Sequence, residues 1–149
     1  MKMVMQKCSS QWADVGPLVL RLALGAIFLY HGYDKVFIKG HAAITGFMGS
    51  LGLPVPELMA YLVSYGELTT GVLLIIGFLT YWASIVDIII ALVAFCTVHV
   101  TKGFGLSGGG FEYIMLIGAA AVSLLVSGAG KYSIDGQLMN KDTSQMGMN

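Results

Sequence analysis

The 149 residues suit a single domain, but their composition excludes an ordinary soluble one: 56% are hydrophobic and only 11% charged, against about 25% charged in soluble domains. A water-soluble globule this small leaves roughly a third of its unfolded-chain surface exposed, and a mean hydropathy of +0.80 provides too little polar surface to cover it. Eight basic and eight acidic residues cancel to zero net charge. Nucleic acid therefore has no basic face to bind, and the composition points to a membrane protein with the lipid bilayer as its first partner.

A membrane-crossing helix needs about 20 mostly apolar residues. The first candidate runs from Gly16 to about Phe37. Lys2 and Lys7 precede it, but Arg21 interrupts the apolar stretch and no A-x-A site follows, so the segment reads as retained rather than cleaved. The link Ile38–Pro56 is the longest connection. Within it Ile44, Phe47, Met48 and Leu51 repeat at helical spacing, which predicts a short helix lying in the membrane interface. Pro56 and Glu57 then suit the first turn of a second span, Leu58 to Leu79. A tight turn at GFLTYW, around Gly77 and Thr80, leads to a third span, Tyr81 to Val100, and makes the two antiparallel neighbours. A glycine-rich link, KGFGLSGGG at 102–110, leads to a fourth span, Phe111 to Ser127. It lacks the Lys-Ser/Thr of a phosphate-binding P-loop.

The expected fold is all-α: an up-down transmembrane four-helix bundle with a short interfacial helix between spans one and two. It forms one domain over 1–149, with short tails at 1–14 and 136–149. Four crossings put both termini on one side, here the near side. Lys2, Lys7, Lys131 and Lys141 lie there, against Lys35, Lys39 and Lys102 on the far side. That bias favours a cytoplasmic near side.

Charge inside a bilayer costs roughly 2.5–3.5 kcal/mol per group on insertion scales, so the ionisable residues within these spans are the candidates for function. Counting about 1.5 Å per residue gives two polar levels. One holds Arg21 and Asp87 toward the near side, with Glu67 near the middle. The other holds His31, Lys35, His99 and Glu112 toward the far side. At about 100° per residue, Arg21, His31 and Lys35 share one face of the first span with Gly25, Phe28 and Gly32, whereas Asp87 and His99 lie about 120° apart on the third. The first level reads as a buried charge network, Arg21 paired with Glu67 or Asp87. The second reads as a far-side catalytic pocket, because two imidazoles, an amine and a carboxylate at one depth can hold a proton, a quinone carbonyl or a metal.

A metal ligated by His31, His99 and Glu112 lacks any H-x-x-x-H or H-x-x-E spacing, so no metal is assigned. Haem finds no C-x-x-C-H. Met1, Met3, Met5, Met146 and Met148 read as terminal residues rather than a Cu(I) site. Cys96 reads as a small buried hydrophobe, and Cys8 is isolated. Gly66, Gly71, Ala91, Ala94 and Ala119 to Ala121 read as helix-packing surface, and His41 as solvated.

Four stretches taken together resemble the DoxX family of small four-span membrane proteins. They are RLALGAIFLYHGYDKVF at 21–37, GFMGSLGLPVPEL at 46–58, GELTTGVLLIIGFLT at 66–80 and FEYIMLIGAAAVSLLVSGAGKYSID at 111–135. Asp87 departs from the plain apolar residue expected at its position. The resemblance implies a redox-associated membrane subunit, an oxidoreductase component linked to quinone, in the bacterial inner membrane. Its partners would be a redox protein or quinone and a second copy of the chain. The competing reading is a small membrane transporter, or a cargo or assembly partner, without redox chemistry.

Overall fold

The computed structural model describes residues 12–139. Among these the chain is helical, without strands. Helix α1, Val15–Tyr33, continues into a wider π-helical turn, Asp34–Lys39. Helix α2, His41–Ser50, follows. Helix α3 is Pro56–Ile76 and α4 is Thr80–Ala94. The latter runs on through a second π-helical turn, Phe95–His99, and a 3-10 turn, Val100–Lys102. Helix α5 is Glu112–Ser127.

Three of these helical runs, Val15–Lys39, Pro56–Ile76 and Thr80–Lys102, are long and apolar enough to cross a membrane. Helix α5 is apolar but has 16 residues, a rise of about 24 Å. Asp14 at the start of α1 accepts a hydrogen bond from the Lys131 amide beyond α5 at 3.2 Å. The two ends of the described helical path therefore meet, an arrangement compatible with an even number of passes.

Local sequence explains the joints. Pro56 stands at the start of α3, where its missing N–H costs nothing, with Glu57 in the first turn. Gly77 ends α3 at φ 69°, the left-handed conformation that glycine adopts freely. The link helix α2 buries Ile44 and Met48 against Ala60 of α3. Phe47, expected on the same face, is 47% exposed.

Helix α1 packs against α3, and α4 against α5. The first contact is unusually close. A Cβ at Gly32 would lie 2.3 Å from the Leu68 nitrogen, and one at Gly71 would lie 2.4 Å from the Leu29 nitrogen. Two backbones touch there, as small residues allow between helices in lipid. The shared core is Leu24, Phe28, Leu74, Ala83, Ala91, Ile117, Ala121 and Leu124. Large apolar side chains such as Tyr30, Phe37, Ile89, Leu92, Leu116 and Val126 point outward, the distribution a bilayer tolerates and water does not.

Candidate functional site

The near-side end is a polar knot. Arg21 is fully buried. Its guanidinium donates to the Leu74 carbonyl at 3.2 Å and to the Tyr132 carbonyl at 2.5 Å. It rests against Gly77, where an added Cβ would lie 2.1 Å from Nη1. A cation at the C-terminal turn of α3 also complements the helix dipole. Asp135 completes the knot. Its two carboxylate oxygens each accept at 2.9 Å, from the Leu79 and Thr80 amides, so a residue beyond α5 caps the start of α4. Arg21, Glu67 and Asp87 are all buried, but the ion pair expected between Arg21 and either acid is replaced by bonds to carbonyls. The two carbonyls take the terminal nitrogens of the guanidinium, its Nε has no partner among the described residues, and Asp135 is the acid within its electrostatic reach.

Glu67 pairs instead with Lys35, whose ammonium donates to Oε2. The cause is local. The π-helical turn starts right after Tyr33 and widens the helix, so Lys35 no longer follows the 100° spacing of α1. It leans over α3, leaving the Glu67 side chain only 8% exposed. Lys39 and Asp34 form a second, outer ion pair at 2.6 Å. His31 stands one turn below Lys35 on α1, with Lys35, Asp34 and Lys39 in electrostatic reach and its ring edge-on to Tyr30.

Beyond Glu67 lies Asp87 of α4, fully buried. Glu67 is within its electrostatic reach and the Thr70 hydroxyl stands beside it, but that hydroxyl is turned to the Glu67 carbonyl at 3.4 Å, and neither Asp87 oxygen has a well-formed hydrogen bond. Lys35, Glu67 and Asp87 thus form a file of ionisable groups from the far side toward the middle of the bundle. Sequence reasoning divided these residues between two levels, and nothing in a one-dimensional depth count could have joined them.

His99 and Glu112 do sit at the far end, as their depth predicts. There, however, both brace the α4–α5 link. The His99 Nδ1 bonds with the Gly109 carbonyl at 2.7 Å, and Glu112 Oε1 accepts from the Leu106 amide at 2.6 Å. Among the described residues, no hydrogen bond or ion pair joins His31, Lys35, His99 and Glu112 to one another. No group of three or more His, Cys, Asp or Glu side chains among the described residues is placed to hold a metal ion. His41, expected to be solvated, stacks on Tyr61 with ring centres 3.7 Å apart. Cys96, expected to be buried, is exposed. Cys8 and the terminal methionines lie outside the described residues.

An apolar groove of ≈ 700 Å³ runs along the outer side of α3 and α4, walled by residues such as Leu62, Leu73, Trp82, Val86 and Ile90. Thr69 and Thr70 interrupt its apolar lining. Thr70 is thus shared between a lipid-facing groove and the buried carboxyl groups behind it.

Span-length apolar helices packed through glycine, with charged side chains turned inward, define a helical-bundle integral membrane protein. Within that class, the chain belongs to the DoxX family: the family model DoxX matches residues 16–100. It is 30% identical over 122 residues to "Putative oxidoreductase CatD" of Bacillus subtilis (strain 168), covering 82% of this chain and 86% of that protein. It is 31% identical over 128 residues to inner membrane protein YqjF of Escherichia coli (strain K12), covering 86% and 95%. Inner membrane protein YphA of the same organism is 33% identical over 63 residues, covering 42% of this chain and 44% of that protein. No solved structure matches the chain significantly.

Proposed function

We propose that this DoxX-family protein is a redox-associated subunit of the bacterial inner membrane that seats a quinone in the groove between α3 and α4. The carrying observation is Thr70, which lines that groove while lying beside Asp87. The groove suits a lipid-soluble carrier. Its apolar walls accept an isoprenoid tail from the bilayer side, and the threonine hydroxyls suit carbonyl oxygens. A bound quinone would supply two-electron, two-proton chemistry, with electrons from a partner redox protein. Glu67 and Asp87 stand behind Thr70 as groups able to carry protons. Lys35 holds Glu67, and His31 stands nearby toward the far side. In this reading His99 and Glu112 hold the far-side link rather than the ligand. The names of the relatives, an oxidoreductase and inner membrane proteins, agree with it.

Trp82 lines the groove and is 63% exposed, which provides the readout. In lipid nanodiscs, a short-chain menaquinone should quench its fluorescence saturably. Thr70→Val should weaken binding about three- to tenfold, the value of one hydrogen bond. Quenching that rises linearly with quinone and is indifferent to Thr70→Val would reject the reading. The row of buried hydroxyls on α4 favours one rival, a transporter without redox chemistry. That rival predicts the linear result.

We also infer that the near side faces the cytoplasm, from the excess of lysines there. With Cys8 and Cys96 replaced by serine, cysteines introduced at Trp12 and Lys131 should both react with an impermeant maleimide only in inverted vesicles. Labelling of either one in right-side-out vesicles would reverse the assignment.

A further inference from the structure

The buried face of α4 is polar toward the near side. Thr80, Ser84 and Asp87 follow one another at spacings of four and three residues, so they lie on one stripe. Their exposures are 1%, 0% and 0%. The Thr80 and Ser84 hydroxyls and both Asp87 carboxyl oxygens have no hydrogen-bond partner. Buried polar atoms are nearly always satisfied, and a hydroxyl on a helix usually has its own i−4 carbonyl to turn to. A whole stripe left unpartnered points to a shared ligand that runs along it.

The surroundings say what that ligand is. Helix α3 presents Thr70 and Glu67 to Asp87, and Glu67 is the charged group in reach. Helix α5 buries only Ile117, Ala121 and Leu124, and its sequence has no ionisable group between Tyr113 and Lys131. Arg21 on α1 is committed to two carbonyls. Asp87 therefore has no cation of its own, lies out of water, and neighbours a second carboxyl group. A proton held on Asp87 relieves all three penalties at once.

The stripe also has two ends. Thr80 and Asp135 form part of the wall of a near-side cavity of ≈ 780 Å³, together with Asp14 and Lys131. Lys35 reaches the far side, its side chain 19% exposed. From Thr80 to Ser84 the helix rises about 6 Å, and from Ser84 to Asp87 about 4.5 Å. Side chains at these spacings are neighbours on one helix face, the arrangement that bridging waters link.

We propose that Asp87 holds an exchangeable proton, taken up from the near-side cavity along Thr80 and Ser84 and passed to Glu67 beneath Lys35. In the transfer the proton leaves the Asp87 carboxyl and joins the Glu67 carboxylate. The negative charge moves to Asp87, nothing is oxidised or reduced, and the Lys35 ammonium is freed toward the far side. Glu67 then releases its proton toward the far side as the Lys35 ion pair re-forms, and uptake along Ser84 restores Asp87. The site shares Glu67 and Asp87 with the quinone reading, but its test uses no quinone, so the two can fail separately.

The test is infrared spectroscopy of the full chain in lipid nanodiscs. At neutral pH the wild type should show a protonated-carboxyl C=O stretch that shifts in D₂O. The band should vanish in Asp87→Asn and persist in Glu112→Gln. Ser84→Ala keeps Asp87 and should keep the band, but its deuterium exchange should slow at least tenfold. If Asp87→Asn does not fold, the wild-type and Ser84→Ala spectra still decide. Absence of the band in the wild type, its persistence in Asp87→Asn, or its loss on adding sodium alone would overturn the proton site. Exchange in Ser84→Ala at the wild-type rate would overturn the near-side route.

Discussion

Gly71→Leu should leave no folded bundle, and even Gly71→Ala should destabilise it by more than the about 1–3 kcal/mol typical of overpacking. The atoms that a Cβ would strike at Gly71 are the nitrogen and Cα of Leu29, at 2.4 and 2.7 Å. These are backbone, so no rotamer change can make room, and α1 must move off α3. That contact has little else to drive it, because lipid tails are as apolar as the helix faces they would replace. Gly66→Ala is the matched control. Its Cβ would meet only Ile90 and Val86 side chains, at 3.6 and 3.9 Å. Replacing a helical glycine with alanine there gains about 1 kcal/mol of helix propensity, so Gly66→Ala should be neutral or stabilising. Melting monitored by detergent size-exclusion chromatography separates the two. Equal melting of Gly71→Ala and Gly66→Ala would show that the helices do not approach this closely.

Arg21→Ala should cost about 2–5 kcal/mol, from the cavity left by a large buried side chain and two carbonyls stripped of their donor. Lys39→Ala, whose side chain is 57% exposed, should cost under about 1 kcal/mol as a surface ion pair. Arg21→Lys should recover little, because one ammonium cannot reproduce the planar fork that reaches Leu74 and Tyr132 together. The partners also predict what is not coupled. In double-mutant cycles, Arg21→Ala with Glu67→Gln or Asp87→Asn should be additive within about 0.5 kcal/mol. Strong coupling to either acid would mean that the arginine is held by charge rather than by the carbonyls.

These two sites mark where sequence reading reaches and where it stops. The spacing of Gly25, Phe28 and Gly32 identifies the buried face of α1 because an undisturbed helix keeps a constant angle per residue. Pro56, Glu57 and Gly77 announce their joints because capping and turn chemistry are local. The helix in the first long link is legible from Ile44 and Met48 for the same reason. The Lys35–Glu67 pair is not legible. It depends on a π-helical turn that changes the angle per residue at Asp34, and no propensity signals that turn. His99 and Glu112 show a different limit. Counting residues gave their depth, but depth is one coordinate of three, and the backbone of the glycine-rich link claimed both side chains first. Asp135 shows the extreme case, since it caps amides 56 and 55 residues earlier in the chain.

The near-side knot has a consequence for biosynthesis. Arg21 enters the membrane early, while Tyr132, which accepts one of its bonds, lies 111 residues later. At translation rates of about 5–20 residues per second, that interval is roughly 6–22 s. For the first 53 residues of it the guanidinium lacks Leu74 as well as Tyr132, and once α4 is made its first amides await the carboxylate of Asp135. The nascent chain therefore carries a buried charge without its full set of acceptors, at the membrane surface or against the insertion machinery, until Tyr132 emerges. Closure of the near side thus waits on a single stretch of chain, 130–136, made after all the helices that it ties together.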